Sequence, residues 1–323
     1  MLLFLSQPDD LHTDFVEAAC RRRGVPFVRF CTRDFPQRVG LRMELHGEHL
    51  TGALALPEGE LPLEVIAGVW FRRPEAPEPH PELDETYHAF ALQESRAALN
   101  GLYRALWDRA WVNPPHHDAS ANHKLYQLDL ARRLGFAIPE TLLTNRPEEA
   151  EAFFHACGGQ MIYKLMFPLF VNDADGEPLG VFTTLIDRDS FAAHLQGVRA
   201  APCLFQALIP KRYELRVNVI GSHVWASAIY SQERDTTSLD YRHDTEGCRH
   251  EPVQLPPAVE RRCREIARRM GLRMCSIDII VDRNGEYVFL EVNSNGQWAW
   301  IEQQVRFPLA DALIDELLKK PTD

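Results

Sequence analysis

The amino-acid sequence predicts an α/β protein, with an open α/β domain at the N-terminus followed by two smaller α+β units. One observation is the opening strand, helix and strand of residues 2–30, in which a glycine follows the helix. Another is a strand-rich block from residue 203 onward, where the turn Asp-Arg-Asn-Gly at 282–285 is a strong hairpin signal. A length of 323 residues with 45% hydrophobic content is sufficient for two or three domains.

The first domain is expected to cover residues 1–112. After the opening unit, residues 42–56 alternate apolar and polar side chains around a glycine, which predicts a hairpin. An apolar strand then runs into Arg72 and Arg73 before a proline-rich loop. A long helix is expected over roughly residues 84–109. This helix carries leucines at the spacing of a core-facing stripe: Leu99, Leu102 and Leu106.

The central unit is expected to cover residues 113–202, because two prolines at 114–115 stop the preceding element. It should begin with a helix over 119–135 and contain two central strands, QMIYKLM and VFTTLI, on either side of a polar loop. The C-terminal unit, residues 203–323, should hold several long strands, a helix, the hairpin across 282–285 and a final amphipathic helix.

The charge balance argues against nucleic acid and anionic membranes as partners. Lys and Arg number 35 against 46 Asp and Glu, a formal net charge of −11, so the field of the whole chain repels polyanions. No stretch reaches the roughly 20 apolar residues that a membrane span requires. Seven scattered cysteines without a Cys-x-x-Cys pair indicate neither a disulfide framework nor a zinc knuckle. A cytoplasmic location is therefore expected.

A polar end on an apolar strand is the main sign of chemistry. In FLEVN, Glu291 and Asn293 lie two positions apart and project from one face, with Cα atoms about 6.6 Å apart. Asp278 can join them if its strand pairs with theirs across the Asn-Gly turn. Two carboxylates and an amide are hard oxygen donors of the kind that magnesium takes. For one such residue a solvated strand end is the commoner explanation, but three on one hairpin favour a metal site.

Two lysines suit an anion near this hairpin. Lys124 lies inside the predicted helix 119–135, and Lys164 ends the apolar strand MIYK. A lysine at the end of an apolar strand costs desolvation unless an anion pairs with it. For each lysine taken alone, a side chain that reaches out to solvent is an equally good explanation.

The stretch FQALIPKRYELRV predicts two strands joined at a proline, with Glu214 and Arg216 on one face of the second strand. An apolar edge beside a proline turn can seat a purine ring, while a carboxylate accepts from a ribose hydroxyl and an arginine binds phosphate. Alternating charges are also ordinary on a half-exposed strand, so this stretch alone is a weak signal.

The order of these motifs along residues 113–323 resembles that of the ATP-grasp superfamily. The elements that carry the resemblance are Lys124, IPETLLTN, YKL with Lys164, FQALI, YELRV, SIDII and FLEVN with Asn293. Further stretches resemble the RimK-like branch of microviridin-type (graspetide) peptide ligases, which are ATP-grasp maturases of ribosomal peptides. These stretches are VWFRRP at 69–74, SQERDTTSLDYR at 231–242 and NSNGQWAWIE at 293–302. This second resemblance covers almost the whole chain.

The resemblance implies a pre-ATP-grasp domain followed by two ATP-grasp halves, with ATP bound between two antiparallel sheets. It also implies a set of contacts: Lys124 and Lys164 on phosphates, Gln206, Ala207 and Ile209 at the adenine, Glu214 on the ribose, and Asp278, Glu291 and Asn293 on magnesium, with two ions. Arg216 would face the terminal phosphate or an acyl phosphate and, with Lys164, act in catalysis.

The implied substrate is a ribosomal precursor peptide made of a leader and a core. ATP would phosphorylate a side-chain carboxylate of this peptide, and a hydroxyl or amine would then close an ω-ester or ω-amide crosslink, releasing ADP and phosphate. Such a reaction needs positioning and charge neutralisation rather than a covalent nucleophile of the enzyme.

Peptide contacts are expected at Arg72 and Arg73 of VWFRRP, and at Asp240 and Arg242. Asp240 and Arg242 face one way on an extended segment, so a local ion pair between them is an equally good explanation. The loop at 167–180 has only two glycines, unlike the glycine-rich phosphate flap of many ATP-grasp proteins, which puts a flap role in doubt.

Two other functions remain open from the sequence. The same chemistry would suit a ligase that adds an amino acid to a small molecule or to a protein tail. In another class, the chain could be a nucleotide- or peptide-binding module without catalysis, although a pure binder has no need of two metal-facing carboxylates. Homodimerisation through the leucine stripe of the helix at 84–109 is a further hypothesis.

Overall fold

The computed structural model describes residues 1–166, 170–172, 178–180, 183–241, 244 and 247–319. The strands within these ranges form five sheets. Three sheets position the candidate site: a parallel sheet near the N-terminus, an antiparallel sheet in the middle of the chain and an antiparallel sheet toward the C-terminus. Helices in this part of the chain lack the combination of length and apolarity that a bilayer crossing requires.

The N-terminal elements surround a four-stranded parallel sheet, which confirms the predicted open α/β arrangement. In chain order they are β1 (Leu2–Leu5), α1 (Leu11–Arg23), β2 (Phe27–Phe30), β3 (Gly40–His46), β4 (His49–Leu56), β5 (Gly59–Pro62), β6 (Gly68–Phe71), α2 (His88–Ala105) and β7 (Ala110–Val112). The parallel sheet has the order β2-β1-β6-β7. The predicted hairpin is confirmed as β3 and β4, which form a separate antiparallel sheet with β5.

The first helix shows how side chains set the boundaries of these elements. Asp10 accepts the backbone N–H of Thr13 at 2.8 Å and so caps the start of α1. Gly24, with a φ of +66°, ends the helix in the left-handed conformation that glycine adopts without strain. Asp10 is thereby fixed at the C-terminal edge of the sheet, where it also meets a buried arginine of the candidate site.

The leucine stripe of α2 is buried inside its own chain. The helix is shorter than predicted, because residues Glu85–Tyr87 form a 3₁₀ turn and α2 ends at Ala105. Leu99, Leu102 and Leu106 are at most 4% exposed and pack against the parallel sheet. The stripe is therefore not available as an interface between two copies, and the reason for expecting a homodimer through it does not hold.

The central elements form a second, antiparallel sheet. In chain order they are α3 (Pro115–Ala121), α4 (Lys124–Arg133), β8 (Thr141–Thr144), α5 (Pro147–Ala156), β9 (Met161–Lys164), β10 (Phe170–Asn172), β11 (Pro178–Gly180), β12 (Thr184–Ile186), α6 (Arg188–His194) and β13 (Cys203–Ala207). The sheet has the order β12-β9-β13-β8, and β10 pairs with β11. The rest of the loop at 167–180, whose flap role was in doubt, lies outside the described residues.

Two predictions for the central unit need correction. The helix expected over 119–135 is broken at Asn122 and His123, because His123 is extended and α4 starts anew at Lys124. The strand β13 pairs with both β8 and β9, so a domain border at residue 202 would cut the central sheet. The sheet instead ends at Ala207, immediately before the connection to β14.

The C-terminal elements form a five-stranded antiparallel sheet with helices on one face. In chain order they are β14 (Lys211–Ile220), β15 (His223–Ile229), β16 (His250–Val253), α7 (Pro257–Arg269), β17 (Met274–Asp282), β18 (Tyr287–Asn293), α8 (Ala299–Val305) and α9 (Leu309–Leu318). The sheet order is β16-β15-β14-β17-β18. The predicted hairpin is confirmed by the pairing of β17 with β18, and Gly285 at its turn has a φ of +86°. The sequence analysis did not predict β16 or α8.

The two faces of the C-terminal sheet differ in polarity. On β14 and β17 the side chains that face α4 and α7 are apolar and buried: Leu215, Val217, Val219, Cys275, Ile277 and Ile279. The alternate positions are mostly polar, namely Glu214, Arg216, Asn218, Ser276 and Asp278. A period of two thus places the core on one face and the polar side chains of the candidate site on the other.

The last helix completes the core of the first sheet. Leu309, Leu313 and Leu317 of α9 are fully buried against β1, β6 and α1. Burial of a leucine side chain contributes about 1.5–3 kcal/mol, so α9 is a substantial part of the N-terminal core.

Glycine is required where α9 crosses β6. A Cβ atom at Gly68 would lie 2.2 Å from the backbone oxygen of Leu317, so we expect Gly68→Ala to lower the free energy of unfolding by roughly 1–3 kcal/mol. Gly101, inside α2, is the matched control, because a Cβ there would meet only the flexible end of Met43 at 3.2 Å. Gly101→Ala should stabilise by up to about 1 kcal/mol. Urea denaturation measures both, and an unchanged Gly68→Ala would contradict this packing.

Candidate active site

A cavity of about 420 Å³ lies between the central and C-terminal sheets, within the size range of small-molecule sites. The central sheet contributes Ile162, Lys164, Leu185, Gln206 and Ala207 to its wall. The C-terminal sheet contributes Glu214, Asp278, Ile280, Leu290 and Glu291, and residues 208–210 form the hinge between the two. Apolar walls with a few acidic and basic side chains suit a flat ring that carries charged groups.

The hairpin β17–β18 brings the three predicted metal ligands together. Asp278 lies opposite Glu291 in the antiparallel register, and the amide of Asn293 donates to Asp278 Oδ2 at 3.1 Å and to Glu291 Oε1 at 3.4 Å. The register shifts between Asp278 and Ile279, so Leu290 is an extra residue in β18. This bulge turns the consecutive side chains of Leu290 and Glu291 into the cavity.

Each of the two carboxylates has a cationic neighbour. Arg216, 6% exposed, donates through Nη1 to both oxygens of Asp278 at 2.8 Å. Burial opposes the charge of Arg216, but the Asp278 carboxylate more than compensates and raises the pKa of the guanidinium above its ordinary value. Lys124, the first residue of α4, donates to Glu291 Oε2. The predicted phosphate-binding Lys124 and the predicted catalytic Arg216 are therefore both at the hairpin.

Helix α4 is fixed to the hairpin by a buried amide. Gln127, one turn after Lys124, donates to Val292 O at 2.8 Å and accepts from Val292 N at 2.9 Å. Gln127 thus pairs with the backbone N–H and C=O of Val292. Val292 lies between Glu291 and Asn293, the two positions that face the carboxylate cluster. Sequence reasoning missed this residue, because nothing local marks a helix glutamine as the partner of a strand 165 positions away.

The predicted adenine contacts lie at the hinge. Ala207 and Ile209 line the cavity, and Ala207 N donates to Glu140 O at 2.9 Å. Gln206 is 2% exposed, and its Nε2 donates to Thr141 at 3.1 Å, while its Oε1 has no hydrogen-bond partner among the described residues. The backbone and apolar side chains of the hinge and the largely buried Gln206 amide therefore all border the cavity.

The predicted ribose contact, Glu214, is buried beside a lysine that sequence reasoning missed. Its Oε1 accepts from Lys211 at 2.5 Å and from the Ser231 hydroxyl at 2.8 Å. Burial raises the pKa of Glu214, and Lys211 and Ser231 oppose that rise. A regular strand would point positions 211 and 214 to opposite faces, but a register shift between Lys211 and Tyr213 brings Lys211 to the carboxylate.

The candidate peptide contacts are divided by burial. Arg72 is 1% exposed, and its guanidinium is used by Asp10, 3.2 Å away, and by Asn295 O at 2.6 Å. This placement does not support a peptide contact at Arg72. Arg73 is exposed and donates to Asn295 O at 3.0 Å, and Asp240 is buried in the cavity wall.

The expectation for Arg242 lies outside the described residues. The alternative of an ion pair between Asp240 and Arg242 therefore has no structural description either. Of the predicted substrate contacts, the exposed Arg73 and the cavity-lining Asp240 are the ones that the described chain presents near the candidate site.

A loop after β18, residues 294–298, borders the carboxylate cluster. Arg216 Nη2 donates to Gln297 O at 3.0 Å, so the loop and Asp278 share one guanidinium. At the other end, Trp298 N donates to His12 Nε2 at 2.9 Å. Burial and the nearby Arg72 lower the pKa of His12 to about 3, which keeps the ring neutral and able to accept this hydrogen bond.

Family models match both parts of the chain. The model of the MvdD pre-ATP-grasp domain matches residues 1–119, and the model of the RimK-like ATP-grasp domain matches residues 121–317. A probable alpha-L-glutamate ligase of Legionella pneumophila is 28% identical over 202 residues, 61% of this chain and 63% of that protein. The chain thus spans about 63% of the length of this curated relative.

Solved structures resemble the chain over nearly its full length. A RiPP-associated ATP-grasp ligase of Chryseobacterium gregarium, in complex with ADP and a leader and core peptide, has 28% identity and a TM-score of 0.90, covering 99% of this chain and 97% of that chain. The macrocyclase MdnC of Microcystis aeruginosa, bound with precursor peptide MdnA, has 27% identity and a TM-score of 0.86, covering 98% and 99%.

The buried neutral state of His12 predicts a pH dependence of stability. The unfolded chain binds a proton at His12 below about pH 6.5, whereas the folded chain does not until about pH 3. The contribution of neutral His12 to the free energy of unfolding is therefore fully present above pH 6.5. It is lost as the pH falls from 6.5 toward 3. Between pH 6.5 and 5 the loss is up to about 2 kcal/mol.

Urea denaturation of the wild type and of His12→Gln at pH 7.5 and 5.0 measures this effect. Glutamine keeps an acceptor for Trp298 N but does not titrate, so the variant should lose less stability between the two pH values. Equal losses in the two proteins would show that His12 binds its proton equally in the folded and unfolded states.

Proposed function

Because the chain belongs to the RimK-like ATP-grasp family, we propose that it is an ADP-forming ligase that crosslinks a ribosomal precursor peptide. It activates side-chain carboxylates of the peptide as acyl phosphates and forms ω-ester or ω-amide bonds. The observation that carries the proposal is the cavity between two sheets, where Asp278 and Glu291 meet Arg216 and Lys124. Likeness over the full chain to ligases solved with peptides supports the peptide as substrate.

ATP would lie in the cavity with its base at the hinge. The apolar side chains of Ile162, Leu185 and Ile280 suit the faces of a purine ring, and Glu214 suits a ribose hydroxyl. Lys164 reaches the same cavity and Lys124 borders it at Glu291, which suits the phosphates. This arrangement would put the base against apolar side chains of both sheets and the phosphates near the two lysines.

The hairpin fits magnesium, because its carboxylate and amide oxygens are the ligands that this hard cation takes. Asp278, Glu291 and Asn293 would hold it, and we propose two ions. Bound magnesium would supply positive charge to the phosphoryl group in transfer. Arg216 is held beside Asp278 at 2.8 Å, so its second role would be to meet the phosphoryl oxygens from the same edge.

The proposed reaction has two steps. A peptide carboxylate oxygen attacks the terminal phosphorus of ATP, the bond to the bridging oxygen breaks, and ADP leaves. A hydroxyl or amine of the same peptide then attacks the acyl carbon, the bond to the phosphate oxygen breaks, and the nucleophile's proton leaves with phosphate or to solvent. The side chains named above would position the reactants and neutralise charge, without a covalent enzyme intermediate.

We place the domain borders near residue 113 and at the hinge 208–210, because β13 belongs to the central sheet. Leader and core would both be bound, with Arg73, Asp240 and Arg242 as candidate contacts. We propose that the protein works in the cytoplasm and does not act on nucleic acid.

The proposal is tested by the intact mass of a short peptide, rich in Thr or Ser and Asp or Glu, that is encoded beside this gene. The peptide is incubated with the enzyme, ATP and magnesium. Loss of one or more waters from the peptide, with ADP formed in step, is the expected result. An unchanged peptide would overturn it, and ADP that appears only with free amino acids would favour an amino-acid ligase, as the name of the Legionella relative suggests.

Asp278 should be essential to turnover in this reaction. We expect Asp278→Asn to lower kcat by at least about 100-fold, because it removes a charge at the point where phosphoryl charge develops. Asp282→Asn is the matched control, since Asp282 lies on the same strand at the hairpin turn and outside the cavity lining. Peptide-dependent ADP release measures both. A kcat for Asp278→Asn equal to that of Asp282→Asn would remove Asp278 from the site.

A further inference from the structure

Three arginines donate to consecutive backbone carbonyls of the 294–298 loop. Arg72 Nη1 donates to Asn295 O at 2.6 Å and to Gly296 O at 3.4 Å, and Arg73 Nη2 donates to Asn295 O at 3.0 Å. Arg216 donates to the next carbonyl, that of Gln297. Two of these arginines follow β6 of the N-terminal sheet and the third lies on β14, so the loop connects the first sheet to the candidate active site.

The loop is held at both ends, by α3 of the central unit and by α1 of the N-terminal unit. The side chains of Ser294 and Asn295 donate to Asp118 Oδ1 of α3 at 2.5 and 2.6 Å. At the far end, Trp298 N donates to His12 of α1, and the Trp298 side chain is fully buried in the core that α1 and α9 share with the first sheet. A loop with partners along its whole length has little freedom to change shape.

The loop is packed directly against the catalytic guanidinium. A Cβ atom at Gly296 would lie 2.4 Å from Ser276 Oγ and 3.0 Å from Arg216 Nη2. The backbone of Gly296 therefore occupies the space beside Arg216 that a side chain would otherwise fill. A displacement of the loop would either press on Arg216 or withdraw the carbonyl of Gln297 from it.

The arginine that holds the loop is itself costly to bury. Arg72 is 1% exposed, and burial lowers its pKa to about 10, with Asp10 opposing the shift. The group remains charged at neutral pH. A buried arginine does not by itself indicate a stabilising role, because apolar residues of similar volume often give the fold equal stability. Its geometry, with one carboxylate and two carbonyls as partners, suits the fixing of a loop.

We propose that the N-terminal sheet positions Arg216 through this loop, and that Arg72 and His12 are positioning residues for the ligase reaction. The inference rests on the proposed function, since Arg216 is assigned there to the transferred phosphoryl group. Arg72 and His12 hold the loop, the loop presents the carbonyl of Gln297, and this carbonyl fixes the half of the Arg216 guanidinium that Asp278 does not bind. Neither residue contacts the nucleotide cavity.

The test replaces Arg72 by lysine, which keeps a positive charge beside Asp10 but lacks the planar fork that reaches the two carbonyls. We expect Arg72→Lys to lower kcat for peptide-dependent ADP release by about 10-fold or more, since small misplacements of catalytic groups have effects of this size. The KM for ATP should change by less than about 3-fold, because the hinge and cavity walls are untouched.

Arg29→Lys is the matched control. Arg29 is a partly buried arginine of the same sheet that also pairs with carboxylates, Asp14 and Glu17, and donates to the carbonyl of Pro8 at 2.6 Å. It does not touch the loop in any contact of the described chain, and Arg29→Lys should keep kcat within about 3-fold of the wild type. Equal losses of kcat in the two variants, or a loss in Arg72→Lys that lies entirely in the KM for ATP, would overturn the inference.

A second pair of variants guards against a general folding defect. His12→Leu removes the acceptor for Trp298 N and should lower kcat, whereas His12→Gln offers an amide oxygen in its place and should restore most of it. If His12→Gln is as impaired as His12→Leu while both remain folded by circular dichroism, the acceptor is not what matters and the positioning role is contradicted.

Hydrogen exchange tests the positioning role independently of the ligase reaction. The backbone amides of residues 294–298 should exchange faster in Arg72→Lys than in Arg29→Lys, and this measurement needs no substrate. If the wild type shows no peptide-dependent turnover, the proposed function fails, and unchanged exchange in the loop would then overturn the positioning role as well. If the wild type is active and exchange in the loop does not change, only the positioning role fails.

Discussion

The ion pair between the buried Arg216 and the partly buried Asp278 is the interaction on which the polar face of the C-terminal sheet depends. The two residues lie opposite each other on β14 and β17, and loss of Asp278 would leave the buried Arg216 charge unpaired, at a cost of about 3–5 kcal/mol. Asn293 donates to the same carboxylate, and the 294–298 loop accepts from the same guanidinium. One pair therefore fixes a strand end, a side-chain amide and a loop, and it brings together residues from three parts of the sequence.

The sequence was sufficient to predict the hairpin and its carboxylates because both follow from local rules. Asn284 and Gly285 define the turn, and alternation along each strand then decides which side chains share a face. Asp278, Glu291 and Asn293 could therefore be grouped before their contacts were known. The shared face of Glu214 and Arg216 followed from the same alternation, whereas the strand that ends at Lys164 was predicted from its apolar run.

Other features depend on pairings that no local pattern encodes. Lys211 reaches Glu214 only because a register shift changes the direction of its side chain. Arg72 was expected to contact a peptide, but its partners Asp10 and Asn295 lie 62 and 223 positions away. The membership of β13 in the central sheet was missed for the same reason, since the partners of a strand are set by the fold and not by its own residues.

The packing of α9 against the first sheet has a consequence for biosynthesis. The strands β1 and β6 leave the ribosome well before the leucines that cover one face of their sheet, Leu309, Leu313 and Leu317. Until then Leu2, Phe4 and Trp70 lack these partners, and apolar faces exposed in nascent chains are prone to aggregation. The first sheet therefore completes its packing only when α9 has emerged, and chaperone demand should fall at that point.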